Sequence, residues 1–233
     1  RTDTLYEDSM ITKLFMFQFV NSYSSFFYLA FIAPYRPTPT DDDGQIGNIG
    51  ECGYDDCMIP LAINLATVYG MRLTVGNFME VCLPMILKYF ADKKEDEDRT
   101  SESGIISTGE REYRMPVYDQ MKGTIDDYSE LAIQFGYMTF FLAALPVSAM
   151  FAFLNNFVEI RSDAYKLMKN HQRPRPSGAQ DIGSWGAIFS VVTTICVVTN
   201  AGLIVFTMEV LKMYSDMTRM WIFIGFQWAL FSL

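Results

Sequence analysis

Asn155, Glu159 and Asp163 recur at spacings of four in residues 154–166, LNNFVEIRSDAYK. On an α-helix that spacing stacks three oxygen-bearing side chains on one face, a turn apart. The stretch continues an apolar run, 137–153, that contains no charged residue. The stripe is therefore expected on a helix and not on a loop. Carboxylates at membrane depth are costly, and they face a cavity, a partner or an ion. The stripe reads as half of a buried cation site, so the rest of the chain has to supply the other half.

Further acids stand where they can do so. Glu80 lies late in the mostly apolar segment 59–90, and Asp127 and Glu130, three apart and so on one helical face, open the next apolar segment. With Glu159 and Asp163 they make five carboxylates, joined by the amide of Asn155 or Asn156. Hard oxygens in such number suit Ca2+, which takes about 6–8 of them at roughly 2.3–2.6 Å. The Cys and His ligands that zinc or copper favours are absent from the cluster. Each acid alone has a plainer reading. One acid at a helix end is usually solvated, Asp126 or Asp127 could cap a helix, and Glu159 could pair with Arg161 or Lys166. The joint pattern, at one depth on three helices, favours the cation site. The single His171 sits in a basic loop and reads as exposed. There is no nucleophile–base pair and no phosphate loop, so an enzyme is not expected.

The elements that must position these residues follow from composition. Half of the 233 residues are hydrophobic, 15% are aromatic, and the apolar residues cluster in long blocks. A span needs about 20 residues, and the blocks predict an all-α, polytopic membrane protein with spans at 10–33, 59–90, 127–145, 147–169, 184–208 and 220–233. Pro146 marks a tight turn between the third and fourth, because the apolar run across it is too long for one span. Basic residues flank 91–125 and 166–177, which predicts a cytosolic linker and a cytosolic loop. The acidic loop 34–57 then falls outside. Cys52 and Cys57 in ECGYDDC are expected to form a disulfide there, with free thiols or a zinc site as rival readings. The net charge of −9 argues against nucleic acid as a partner. The chain begins at Arg1 and stops inside an apolar run, as an excerpt of a longer membrane protein would.

Several stretches carry a family resemblance. FQFVNSYSSFFYLAF (17–31), ECGYDDC (51–57), ELAIQFGYMTFF (130–141), LNNFVEIRSDAYK (154–166), the RPRP and DIGSW motifs within 173–185, and VVTNAGLIVFT (197–207) resemble the anoctamins. That family comprises Ca2+-activated chloride channels and phospholipid scramblases. The resemblance implies a ten-helix homodimer, of which this chain covers the fifth helix to the start of the tenth, and the plasma membrane is favoured over internal membranes as its place. It further implies two Ca2+ ions between the sixth, seventh and eighth helices, with Glu80, Asp127, Glu130, Asn155, Glu159 and Asp163 at the matching positions. Two departures stand out: Gly76 replaces a family Asn, and Asp127 replaces a longer Glu.

Within the family the conduction path is a groove beside these helices. By the resemblance, Gln18 and Arg72 line it, and Asn21 and Ser22 belong with Gln18 to a polar row read from the sequence. A neutral Gln18, where the chloride channels tend to carry Lys, attracts anions less. A polar row along the helix suits lipid head groups. The expectation is a Ca2+-gated scramblase that also passes chloride and other small ions. A chloride channel without scrambling, a cation- or proton-coupled transporter using the same acids, and a scaffold that has lost transport are the alternatives.

Overall fold

The computed structural model describes residues 3–35, 57–83, 85–87, 89–90, 93, 107–176, 178–211 and 213–232. Among them there are helices and turns and no strand. In chain order they are α1 (Asp3–Phe27), α2 (Met58–Met71), α3 (Thr108–Tyr113), α4 (Gln120–Phe140), α5 (Ser148–Tyr165), α6 (Ser184–Gly202) and α7 (Asp216–Phe231). α1, α2, α4, α5, α6 and α7 each overlap one of the expected spans. Among the described residues, two stretches are long and apolar enough to cross a bilayer by length and composition: Met58–Gly76 and Ser184–Thr207. The acids of the candidate site fall on α4 and α5.

Local chemistry sets the ends. The Asp119 carboxylate accepts from the Lys122 amide at 3.2 Å and caps α4. α4 begins at residue 120, ahead of the apolar run and of the expected span from 127, because Asp119 caps it, and Asp126 and Asp127 lie inside it. Ser215 caps α7 in the same way, accepting from the Thr218 amide. Between α4 and α5 the chain turns over residues 141–147, as Pro146 predicts. Asn200 of α6 braces that turn, accepting from the Ala143 amide at 3.1 Å and donating to the Thr139 carbonyl at 2.6 Å.

Four α-helices run on into a π-helical turn: Tyr28–Ile32 after α1, Arg72–Gly76 after α2, Lys166–Asn170 after α5 and Leu203–Thr207 after α6. A second π turn, Phe78–Cys82, follows the one after α2. Such turns widen the helix and weaken its regular hydrogen-bond ladder.

The core lies where α4 packs against α1 and α6, with α5 bridging α4 to α2. Aromatic rings from α1 and α4 fill it. Tyr23 meets Tyr137 at 4.9 Å and Phe140 at 5.0 Å, and Phe26 meets Tyr137 at 5.3 Å, all edge to face. The two tyrosines also tie the helices reciprocally. Tyr23 Oη donates to the Ile133 carbonyl at 2.6 Å, and Tyr137 Oη donates to the Ser22 carbonyl at 3.0 Å. Outward-facing positions carry large apolar side chains: Phe17, Phe153, Phe157, Ile160, Trp221 and Trp228 are all exposed. An exterior of that kind suits lipid better than water.

Gly136 makes the α1–α4 approach possible. A Cβ at this position would stand 2.1 Å from Tyr23 Oη, whose ring is fully buried. Gly136→Ala must push Tyr23 out of its bond to Ile133, at an expected loss of about 1–3 kcal/mol. The check is the thermal unfolding midpoint of the full-length protein in detergent, which should fall in the variant and stay level in Gly70→Ala, where a Cβ meets nothing.

Candidate functional site

Three elements meet at the site: the π turn that follows α2, the first half of α4 and the second half of α5. Asn155 is its pivot. Buried on α5, it donates through Nδ2 to Gln134 Oε1 at 2.8 Å and to Glu159 Oε2 at 3.1 Å, while its Oδ1 accepts from Asn77 Nδ2 at 3.1 Å. Gln134 passes the chain of bonds on, donating to Asn156 Oδ1 at 2.7 Å and to the Ala152 carbonyl at 3.1 Å. Asn77 also donates to the carbonyls of Arg72 and Leu73, at 3.3 and 3.2 Å, which covers acceptors at the π turn. Four amide side chains thus tie α2, α4 and α5 together at one level.

The carboxylates stand around this network. Asp127 accepts from Lys166 Nζ at 3.1 Å and lies 3.5 Å from Tyr118 Oη. The Tyr118 phenol is pushed up by burial, and Asp127 beside it adds to the effect. Lys166 Nζ also stands 3.8 Å from Asp163. Glu130 accepts from Arg72 Nη1 at 3.1 Å. Glu159 accepts from Asn155, and the neighbouring Arg161 turns away, its guanidinium 3.6 Å over the Phe157 ring. Two cavities adjoin here. Asp127, Asn156, Glu159 and Asp163 line one, and Arg72, Gly76, Asn77, Glu130, Asn155 and Glu159 line the other, so Glu159 is common to both.

The stripe 155, 159, 163 therefore faces Asp127 and Glu130 across a helix interface, as its spacing predicts. Glu80 lies on the second π turn, Phe78–Cys82, and its side chain is outside the described residues. Gln18, Asn21 and Ser22 sit on α1, Gln18 half-buried with its Oε1 lacking a hydrogen-bond partner among the described residues. Arg72 lies on the wall of the second cavity, paired with Glu130. Gly76 lines the same cavity and brings no donor oxygen. Cys57 is disulfide-bonded, while Cys52, its expected partner, lies outside the described residues, and Cys82 and Cys196 are free.

Sequence reasoning missed two members, Gln134 and Asn77, and offered Lys166 only as a partner for Glu159, whereas its ion pairs reach Asp127 and Asp163. Gln134 is a lone amide in the apolar stretch ELAIQFGYM, and Lys166 follows Asp163 by three residues. Both were visible signals of a polar contact inside a helix bundle.

The donor set is all oxygen, which fits Ca2+. Asp163 Oδ1 is buried with no hydrogen-bond donor among the described residues, so one carboxylate oxygen of the cluster is left without a hydrogen bond. Among the described residues no three acidic, His or Cys side chains converge closely enough to hold an ion as they stand. The positive groups of Arg72 and Lys166 stand among the carboxylates.

The chain matches the family model described as "Anoctamin: Calcium-activated chloride channel" over residues 1–233. It is similar to Anoctamin-4 of Mus musculus, 35% identical over 213 residues, which cover 90% of this chain and 22% of that protein. It is similar to Anoctamin-7 of Homo sapiens, 35% identical over 94% of this chain and 24% of that protein. With Anoctamin-5 of Mus musculus the identity is 34%, over 91% and 23%. The chain spans less than a quarter of the length of these relatives. It belongs to the anoctamin family of helical membrane proteins.

Gln134 holds the site in register. Gln134→Leu leaves Asn155 Nδ2 and Asn156 Oδ1 each short of a partner, at an expected cost of about 2 kcal/mol. Thermal unfolding of the full-length protein without Ca2+ reads that loss. An unchanged midpoint would mean the amide network contributes nothing.

Proposed function

We propose that this chain carries the calcium-responsive site of a phospholipid scramblase that also passes chloride and other small ions. The ligands are Glu80, Asp127, Glu130, Asn155, Glu159 and Asp163. The observation that supports this most directly is the meeting of Asp127, Glu130, Glu159 and Asp163 around two adjoining cavities that share Glu159. The family model names calcium activation and chloride conduction, which supports the coarse reading.

Bound Ca2+ supplies positive charge that offsets the carboxylates. The chain's own residues do the rest. Gln134 fixes Asn155 and Asn156 on α5, and Asn77 links that frame to α2. The two π turns put irregular backbone directly after the apolar part of α2. A helix with a weakened ladder at that point can change its path at lower cost than a regular one. Charge at the site thereby reaches the helix that borders the transport path. Along that path Gln18, Asn21, Ser22 and Arg72 offer a mostly neutral polar row, suited to head groups crossing while tails stay in lipid. We assign the spans as 10–33, 59–90, 127–145, 147–169, 184–208 and 220–233, with 34–57 outside and 91–125 cytosolic. The working unit is a homodimer in the plasma membrane.

Scrambling belongs to the whole protein, so the test uses a full-length protein carrying this chain, in liposomes with a fluorescent lipid in both leaflets. Dithionite bleaching should pass well beyond the outer leaflet with Ca2+ and stop at about half without it. Chloride efflux from matched vesicles should accompany it. Efflux with bleaching held at half would make the protein a channel. Silence in both assays would contradict the transport reading.

A further inference from the structure

Arg72 is the first residue of the π turn after α2 and stands 58 positions from Glu130 in sequence. Its Nη1 nevertheless lies 3.1 Å from Glu130 Oε1, and its side chain is only 24% exposed. It shares a cavity with Asn155 and Glu159. Lys166, at the end of α5, makes the matching arrangement with Asp127 at 3.1 Å and Asp163 at 3.8 Å. Asp127, Glu130 and Asp163 thus each meet a cation belonging to the chain itself.

A guanidinium has five N–H donors and no acceptor, so it can ligate no metal. Its charge also repels any cation that shares the cavity. A group of this kind stabilises the carboxylate cluster when metal is absent and opposes metal when it arrives. We propose that Arg72 is a tethered counter-cation that occupies Glu130 and competes with Ca2+ for it, and that Lys166 does the same for Asp127 and Asp163. The inference rests on the calcium-site reading given above. It adds that the calcium sensitivity of this chain is set low by its own basic residues. Metal uptake must break the Arg72–Glu130 pair, which joins α2 to α4. The same event that fills the site therefore releases α2 from α4.

The test is calcium binding itself, by isothermal titration calorimetry on the purified full-length protein in nanodiscs. Arg72→Gln should bind Ca2+ roughly tenfold more tightly than the parent, since one nearby positive charge is gone. Arg72→Lys keeps the charge and should stay within a few-fold of the parent. Lys166→Gln probes the second pair without touching α2, and it should also tighten binding. Equal or weaker binding in both Arg72→Gln and Lys166→Gln, with the parent still taking up Ca2+, would overturn the counter-cation role and leave the site reading standing. A parent that takes up no Ca2+ would overturn the site reading and this inference with it.

Discussion

Carboxylates on neighbouring helices of a membrane bundle cannot stand together without countercharge, and the junction of α2, α4 and α5 is built around that constraint. Asp127, Glu130, Glu159 and Asp163 come within one interface because amides and cations hold them there. The amides fix position: Gln134, Asn155, Asn156 and Asn77 form a continuous run of hydrogen bonds across the three helices. The cations balance charge, one from the π turn of α2 and one from the end of α5. Removing the amide support would leave the buried Gln134 or Asn155 short of partners, which costs more than the bonds contribute when made.

The remainder of the bundle supplies a frame that does not depend on this junction. The interlocked rings of Tyr23, Phe26, Tyr137 and Phe140, with the reciprocal tyrosine bonds, fix α1 to α4. Asn200 ties α6 to the turn before α5. α2 is held differently. It packs on α5 and on the turn after α1, and it carries two π turns where it reaches the site. α1, α5 and α6 each end in one π turn as well, and α2 differs from them in carrying a second where it meets the charged groups.

Much of this was legible in the sequence, for physical reasons that differ by element. The spacing of Asn155, Glu159 and Asp163 announces one helical face because a helix has only that periodicity to offer. Pro146 announces a turn because an apolar run of that length cannot be one span. The start of α4 at residue 120 is not legible in the apolar pattern, since a cap such as Asp119 followed by a polar turn carries no apolar signal. The pairing of Arg72 with Glu130 was hidden because contacts 58 residues apart depend on how helices pack, which local patterns do not encode. The π turns were hidden as well, because no single residue type requires them. Arg72 was read as lining a path, and the structure adds its carboxylate partner.

The central claim is that charge at Glu159 and its neighbours sets the response to calcium. The most direct measurement is the calcium dependence of lipid scrambling by the full-length protein in liposomes, compared with that of Glu159→Gln. Glu159 lines both cavities, so its neutralisation should raise the calcium needed for half-maximal scrambling by about tenfold or more. Half-maximal scrambling at the same calcium in both proteins would contradict the account.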